Sequence, residues 1–192
     1  MPDIKWKILI LGESQVGKTS LVIRFTEDRF TKTKTTIGVA FAVKHIYSDD
    51  YGKIRLQVWD FAGEERFRTL LGPFCMGASG AILLYDLSNP ITFSKLDFWI
   101  PIVKNNTAIE LDDRENKPIP LILAGSKKDL INNGQGIVDE EKIQHFMKKH
   151  EVSNHYEISS KTGENVELLF KDLVNEIAKA YEMKGMRLKF NS

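Results

Sequence analysis

One octapeptide, Gly12-Glu13-Ser14-Gln15-Val16-Gly17-Lys18-Thr19, has residue types and spacing that dictate a chemistry. It fits G-x-x-x-x-G-K-[ST] at every fixed position. The glycines let the backbone wrap tightly around phosphate oxygens. The N–H groups of Ser14, Gln15, Val16 and Gly17 can then point inward as an anion nest. Lys18 supplies a full positive charge to the outer phosphates, and Thr19 offers a hydroxyl to magnesium. A helix that opens here, with Ser20 in its first turn, turns its positive end toward the same phosphates. The chemistry implied is the binding of a nucleotide together with a magnesium ion. The loop alone leaves the base open, because ATP suits it as well as GTP.

A second group with phosphate chemistry is Asp60-Phe61-Ala62-Gly63, directly after the apolar stretch Leu56-Gln57-Val58-Trp59. An acid at the C-terminal end of a strand near a phosphate loop can hold magnesium through water. Gly63 can bring its backbone N–H to a terminal phosphate because no side chain intervenes.

These groups need a scaffold, and the hydrophobic pattern supplies one. Residues 5–11 read as a strand feeding the glycine loop, and residues 19–25 read as a helix. Residues 39–47 alternate, with Val39, Phe41, Val43 and His45 on one face. A turn at Asp49-Asp50-Tyr51-Gly52 then leads to alternating Ile54, Leu56 and Val58, which predicts a hairpin. The continuous apolar runs at 80–85 and 120–124 suit strands covered on both faces. Residues 156–159 form a short last strand. Phe93, Leu96, Trp99, Ile100 and Val103 follow helical spacing, with Pro101 expected to kink or shorten that helix. Ile143, Phe146 and Met147 mark another helix, and Val166, Leu169, Phe170, Leu173 and Ile177 mark the last. The alternation predicts a three-layer α/β/α sandwich around a mostly parallel six-stranded sheet with one antiparallel edge hairpin. Residues 105–118 are polar and read as a solvated loop.

The composition narrows the function classes. The chain has 192 residues, enough for one domain and a full core. Lys and Arg number 27 against 26 Asp and Glu, so charge gives no case for nucleic acid or an anionic membrane. The single cysteine, Cys75, rules out an internal disulfide framework and reads as a small buried or semi-buried side chain in a reducing, cytoplasmic setting. No run approaches membrane-spanning length. The last residues, Arg187 to Ser192, contain no cysteine, so no lipid attached there is expected. Any contact with membranes is then expected to come through partners, with only the modest basic tail of Lys184, Arg187 and Lys189 to assist.

Taken together, these segments resemble the Ras superfamily of small GTPases, the Rab branch most of all. Trp59-Asp60-Phe61-Ala62-Gly63-Glu64-Glu65-Arg66-Phe67-Arg68-Thr69-Leu70 is similar to its second switch. Thr36-Ile37-Gly38-Val39-Ala40-Phe41 is similar to its first, and Leu84-Tyr85-Asp86-Leu87 to a Rab strand end. The likeness runs from about Lys5 to Tyr181 and implies a nucleotide-binding G domain over residues 1–183, with 184–192 as a short polar tail. It implies that Thr36 binds magnesium and the terminal phosphate in the triphosphate state, beside Thr19 and Asp60 as metal-binding residues. It implies that Phe30 packs against the base. It also implies a monomeric GTP/GDP switch. Effectors and regulators would meet the segments that begin at Thr36 and Phe61 and end at Phe41 and Phe74.

The base-reading and catalytic positions depart from the family pattern. In Gly125-Ser126-Lys127-Lys128-Asp129, the Asp129 carboxylate can accept from guanine's ring N–H and exocyclic amine together, and the Lys127 stem packs on the ring. Ser126 stands where the family has asparagine, which removes reach and one hydrogen-bonding group, a loss of about 0.5–1.5 kcal/mol. Ser159-Ser160-Lys161 resembles the segment whose backbone meets the guanine carbonyl. Lys18, Gly63 and Glu64 fall at catalytic positions, with Glu64 replacing the family's glutamine. A carboxylate only accepts hydrogen bonds and adds charge beside phosphate, so it could draw a proton from water or repel the phosphate. Three readings follow: a GTP-hydrolysing switch, a nucleotide-dependent binding module with negligible turnover, and an ATP-binding protein. Asp129 argues against the last, because adenine presents a ring acceptor where guanine presents a donor.

Overall fold

A seven-stranded sheet organises the chain, and helices cover both faces of its parallel part. The computed structural model describes residues 4–31, 33, 36, 38–64, 71–109, 117–131, 138–183 and 188–190. In chain order the strands are β1 (Ile4–Leu11), β2 (Val39–Ser48), β3 (Gly52–Phe61), β4 (Gly80–Asp86), β5 (Leu121–Ser126), β6 (Asn154–Glu157) and β7 (Leu188–Phe190). They lie in the order β6-β5-β4-β1-β3-β2-β7. Pairings between β1 and β3, β1 and β4, β4 and β5, and β5 and β6 are parallel. Strand β2 runs antiparallel to β3, which is the hairpin read from the sequence. Strand β1 sits where the order reverses, with β3 on one side and β4 on the other, and ligands of open α/β sheets bind at such points beyond the strand ends.

Alternation along the strands builds two cores. Ile8 and Ile10 of β1 and Ile82 and Leu84 of β4 face α1 (Lys18–Glu27) and α6 (Val166–Ala180). There Phe25 and Phe170 stack with ring centroids 3.6 Å apart. Leu9, Leu11, Leu83 and Tyr85 point the other way, toward Leu96, Trp99, Ile143 and Phe146. That layer contains α2 (Gly72–Cys75), α3 (Ile91–Ser94), α4 (Trp99–Asn106) and α5 (Glu140–His150). Strands β4 and β5 are buried along their whole length, as their unbroken apolar runs require. Cys75 is buried, and burial pushes its thiol up to about 11. Among the described residues no helix is long and apolar enough to cross a membrane.

Local details differ from the sequence pattern. The helix expected over Phe93 to Val103 breaks at a 3-10 turn, Lys95–Phe98, ahead of Pro101. Pro101 then falls in the first turn of α4, where its missing N–H has no helical partner to lose. Strand β6 covers Asn154–Glu157, two residues earlier than the pattern suggests. The expected six strands are joined by a seventh, because part of the polar tail pairs antiparallel with the β2 edge at Ile46, Tyr47 and Ser48. Lys189 Nζ also reaches Asp49 Oδ1 at 2.6 Å. Lys184 and Arg187 lie outside the described residues, as do positions 110–116 of the polar loop.

Two stability measurements follow. Phe170→Ala removes a fully buried ring and should cost about 3–5 kcal/mol in urea unfolding. The buried Tyr85 hydroxyl lies 3.0 Å from His155 Nε2. Burial lowers the His155 pKa below 6.5, with Glu157 and Glu140 opposing in part. The unfolded chain therefore takes up this proton first as pH falls, so the stabilisation is present above about pH 6.5 and is lost as pH drops through the folded value. His155→Phe should make the urea midpoint less sensitive to acidification between about pH 7.5 and 5.5 than the parent protein.

Candidate nucleotide site

The loop between β1 and α1 closes around its own lysine. Gly12 leaves β1 at φ +147°, and a Cβ there would overlap the Leu84 carbonyl oxygen of β4, so only glycine fits. Gly17, at φ +98°, caps α1. Lys18 opens that helix and folds back, its ammonium donating to the carbonyls of Gly12 (2.9 Å) and Glu13 (2.6 Å). Only 6 % of Lys18 is exposed.

At the helix entrance three predicted side chains converge. Thr19 Oγ1 donates to Asp60 Oδ2 at 2.5 Å, and Thr36 Oγ1 lies 2.7 Å from Thr19 Oγ1 and 3.2 Å from the same carboxylate oxygen. The register that pairs Ile10 with Asp60 sets this carboxylate beside the start of the loop. The other oxygen, Asp60 Oδ1, is buried without a hydrogen-bond partner among the described residues. Burial raises the Asp60 pKa, while the Thr19 and Thr36 hydroxyls and the Lys18 charge hold it down. Hydroxyl and carboxylate oxygens around a partnerless buried oxygen suit a hard divalent cation that keeps part of its shell as water and phosphate. Gly63 completes the cradle: a Cβ there would overlap the Ser14 amide nitrogen and the Glu13 carbonyl. Glu64 follows it, partly buried.

Two adjoining cavities run from this point. The first, of about 200 Å³, is lined by Ser14, Gln15, Lys18, Thr19, Thr36 and Gly63. The second, of about 320 Å³ and mostly apolar, is walled by Phe30, Asp129, Leu130, Ser160 and Lys161. Gly17, Ser20 and Lys127 border both. The layout is a charged compartment opening into a flat-ligand slot. Asp129 Oδ1 accepts from Ser159 Oγ at 2.6 Å, and Lys161 Nζ stands 3.8 Å from Oδ2. Lys127 sits at φ +61° with its ammonium 2.6 Å from the buried Asp86. The Val16 side chain faces the core, and its carbonyl accepts from Ser126 Oγ at 2.5 Å; the Tyr85 carbonyl lies 2.9 Å from the same hydroxyl.

The Ras family model matches residues 7–179. The chain belongs to the Ras family. Its relatives include the Ras-related protein Rab-18 of Lymnaea stagnalis, 41 % identical over 173 residues, spanning 89 % of this chain and 79 % of that protein. The Ras-related protein Rab-11A of Dictyostelium discoideum is 37 % identical over 177 residues, spanning 91 % and 77 %. The Ras-related protein Rab-7a of Paramecium octaurelia is 36 % identical over 174 residues, spanning 90 % and 81 %. This chain is a Rab-like small GTPase.

The predicted loop, Thr36, Asp60, Gly63 and the residues expected at the base thus gather beyond the C-terminal ends of β1, β3, β5 and β6. Positions 65–70 of the second switch segment, and Ile37 of the first, lie outside the described residues. Three contacts escaped the sequence reading. Ser126 ties the phosphate loop to β4 through its hydroxyl, Asp86 holds Lys127, and Arg24 holds the carbonyls of Ser160 and Lys161. A strand-end acid was visible at Asp86, but no local pattern signals Arg24. Replacing Asp60 with Asn keeps the shape and removes the charge facing Thr19. Nucleotide release measured with and without a chelator should then lose about tenfold or more of its magnesium dependence.

Proposed function

We propose that this Rab-like GTPase is a switch that binds GTP and GDP, hydrolyses GTP slowly by itself, and signals through segments 36–41 and 61–74. The convergence of Thr19, Thr36 and Asp60 at the mouth of the loop carries this reading. Thr36 comes from a segment 17 residues after Thr19, so whatever holds these oxygens together also holds the first switch closed. Magnesium, held by Thr19 and Thr36 with Asp60 behind them, would supply positive charge to the outer phosphate oxygens. Lys18 adds a second charge, fixed in direction by the Gly12 and Glu13 carbonyls. Gly63, lying against the loop backbone, is free of any side chain that would block its N–H from a terminal phosphate. Asp129, held by Ser159, accepts from the guanine edge, while Lys127 and Phe30 pack on the base.

Hydrolysis needs a water aligned with the terminal phosphorus. Glu64, next to Gly63, can accept a hydrogen bond from that water. Its carboxylate cannot donate to the oxygens that gain charge, and its own charge opposes theirs. Slow turnover unaided and acceleration by an arginine from a partner follow from that chemistry. Partner docking is supported by an aromatic surface beside the switches. Phe41 is 63 % and Phe74 44 % exposed, and both pack on Trp59 with centroids 5.8 and 6.4 Å away. We also propose a monomer acting in the cytoplasm and reaching membranes through partners.

Single-turnover assay of preloaded GTP tests the catalytic part. The expected result is slow phosphate release that Glu64→Gln accelerates by about tenfold, the scale of one well-placed donor. Absence of release over hours in both proteins would leave a nucleotide-dependent binding module instead.

A further inference from the structure

Arg24 lies in the last turn of α1 and lines neither cavity, yet its guanidinium joins Ser160 and Lys161 of the second cavity's wall to Asp28. Nε donates to the Ser160 carbonyl at 2.8 Å and Nη2 to the Lys161 carbonyl at 2.9 Å. Nη1 donates to the Asp28 carbonyl at 3.0 Å and to its carboxylate at 3.1 Å. Asp28 caps α1 in the left-handed conformation, two residues before Phe30. A rigid planar fork is the side chain suited to holding several acceptors in fixed directions at once. The Arg24 side chain is only 15 % exposed; its bond to the Ser160 carbonyl is part-buried, while those to Lys161 and Asp28 face solvent.

The two carbonyls fix more than their own positions. In a trans peptide the C=O and N–H point in opposite directions. Holding the Ser160 oxygen toward α1 therefore turns the Lys161 N–H away from α1. Holding the Lys161 oxygen likewise sets the Thr162 N–H, which donates to Ser159 Oγ at 3.2 Å. That hydroxyl in turn donates to Asp129 Oδ1 at 2.6 Å. One chain of hydrogen bonds thus runs from Arg24 through a peptide unit and Ser159 to the carboxylate assigned to guanine.

We propose that Arg24 is the positioning residue for base recognition, orienting Asp129 through Ser159 and holding the Asp28–Phe30 turn on the opposite wall. The proposal rests on the guanine reading of Asp129. Its signature is selectivity: without Arg24, Asp129 loses its fixed direction, and the contact to guanine's exocyclic amine suffers most. Inosine diphosphate lacks that amine and otherwise matches GDP.

The test compares dissociation constants for GDP and inosine diphosphate in the parent protein, Arg24→Gln, Arg24→Lys, Ser159→Ala and the double variant Arg24→Gln/Ser159→Ala. Thermal melting of each checks folding. Arg24→Gln should weaken GDP by about tenfold or more and shrink the preference for GDP over inosine diphosphate. The double variant should bind GDP about as well as the weaker single variant, because both break one chain. Arg24→Lys keeps the charge but cannot hold both carbonyls. It should show an intermediate loss with a reduced preference, which keeps the test available if Arg24→Gln does not fold. Equal weakening of both nucleotides, or additive effects of Arg24→Gln and Ser159→Ala, would overturn the proposal. A parent protein that binds inosine diphosphate and ADP as tightly as GDP would overturn the guanine reading beneath it.

Discussion

An ammonium group buried inside a backbone loop is the constraint from which the rest follows. Lys18 is almost wholly withdrawn from water and is held by two carbonyl oxygens of the loop it belongs to. Taking a charge out of water costs several kcal/mol unless its surroundings compensate. The carbonyl dipoles of Gly12 and Glu13 contribute to that compensation, and a bound phosphate chain would add to it. The loop can close this tightly because Gly12 passes against the Leu84 carbonyl and Gly63 lies against the Ser14 and Glu13 backbone, positions where even a methyl group would collide. The loop is therefore shaped around a charge that calls for an anion.

The sheet converts that local constraint into a site. Strand β1 delivers the loop, β3 delivers Asp60 next to it in register, and β4 and β5 end together at the paired positions Asp86 and Ser126. Ser126 then links the two compartments physically. Its hydroxyl has one proton and two carbonyls in reach, one on the phosphate loop and one on β4. The asparagine expected there from the family pattern would have more reach, but serine still performs the anchoring. Lys127 gains a partner in the buried Asp86, whose other carboxylate oxygen accepts from the Ser88 N–H and hydroxyl. The glycine loop and the Lys127–Asp129 segment are thus parts of one hydrogen-bonded body.

Much of this was legible in the sequence because spacing within a strand–loop–helix unit is local. The octapeptide at 12–19 and the acid at 60 each announce themselves within a dozen residues, and apolar runs identify β4 and β5. The contacts that escaped are those made across long stretches of chain. Arg24 meets Ser160 from 136 positions away, and nothing near residue 24 encodes the partner. The β7 strand is three residues of a polar tail whose pairing depends on an open β2 edge rather than on its own pattern. The kink or shortening expected from Pro101 is a 3-10 turn at Lys95–Phe98, ahead of the proline, and its place escaped because Phe93 to Val103 keeps helical spacing through it. Glu64 is plain in the sequence, but its effect depends on a water and a transition state.

The most direct check of the central claim, that the loop, Asp60 and Asp129 together hold a guanine nucleotide, is to denature the purified protein and separate what it releases by ion-exchange chromatography. Close to one equivalent of GDP or GTP per chain is expected, lost after exhaustive treatment with a chelator. Recovery of ATP or ADP in that amount, or of no nucleotide from protein that also fails to take up added GDP, would contradict it.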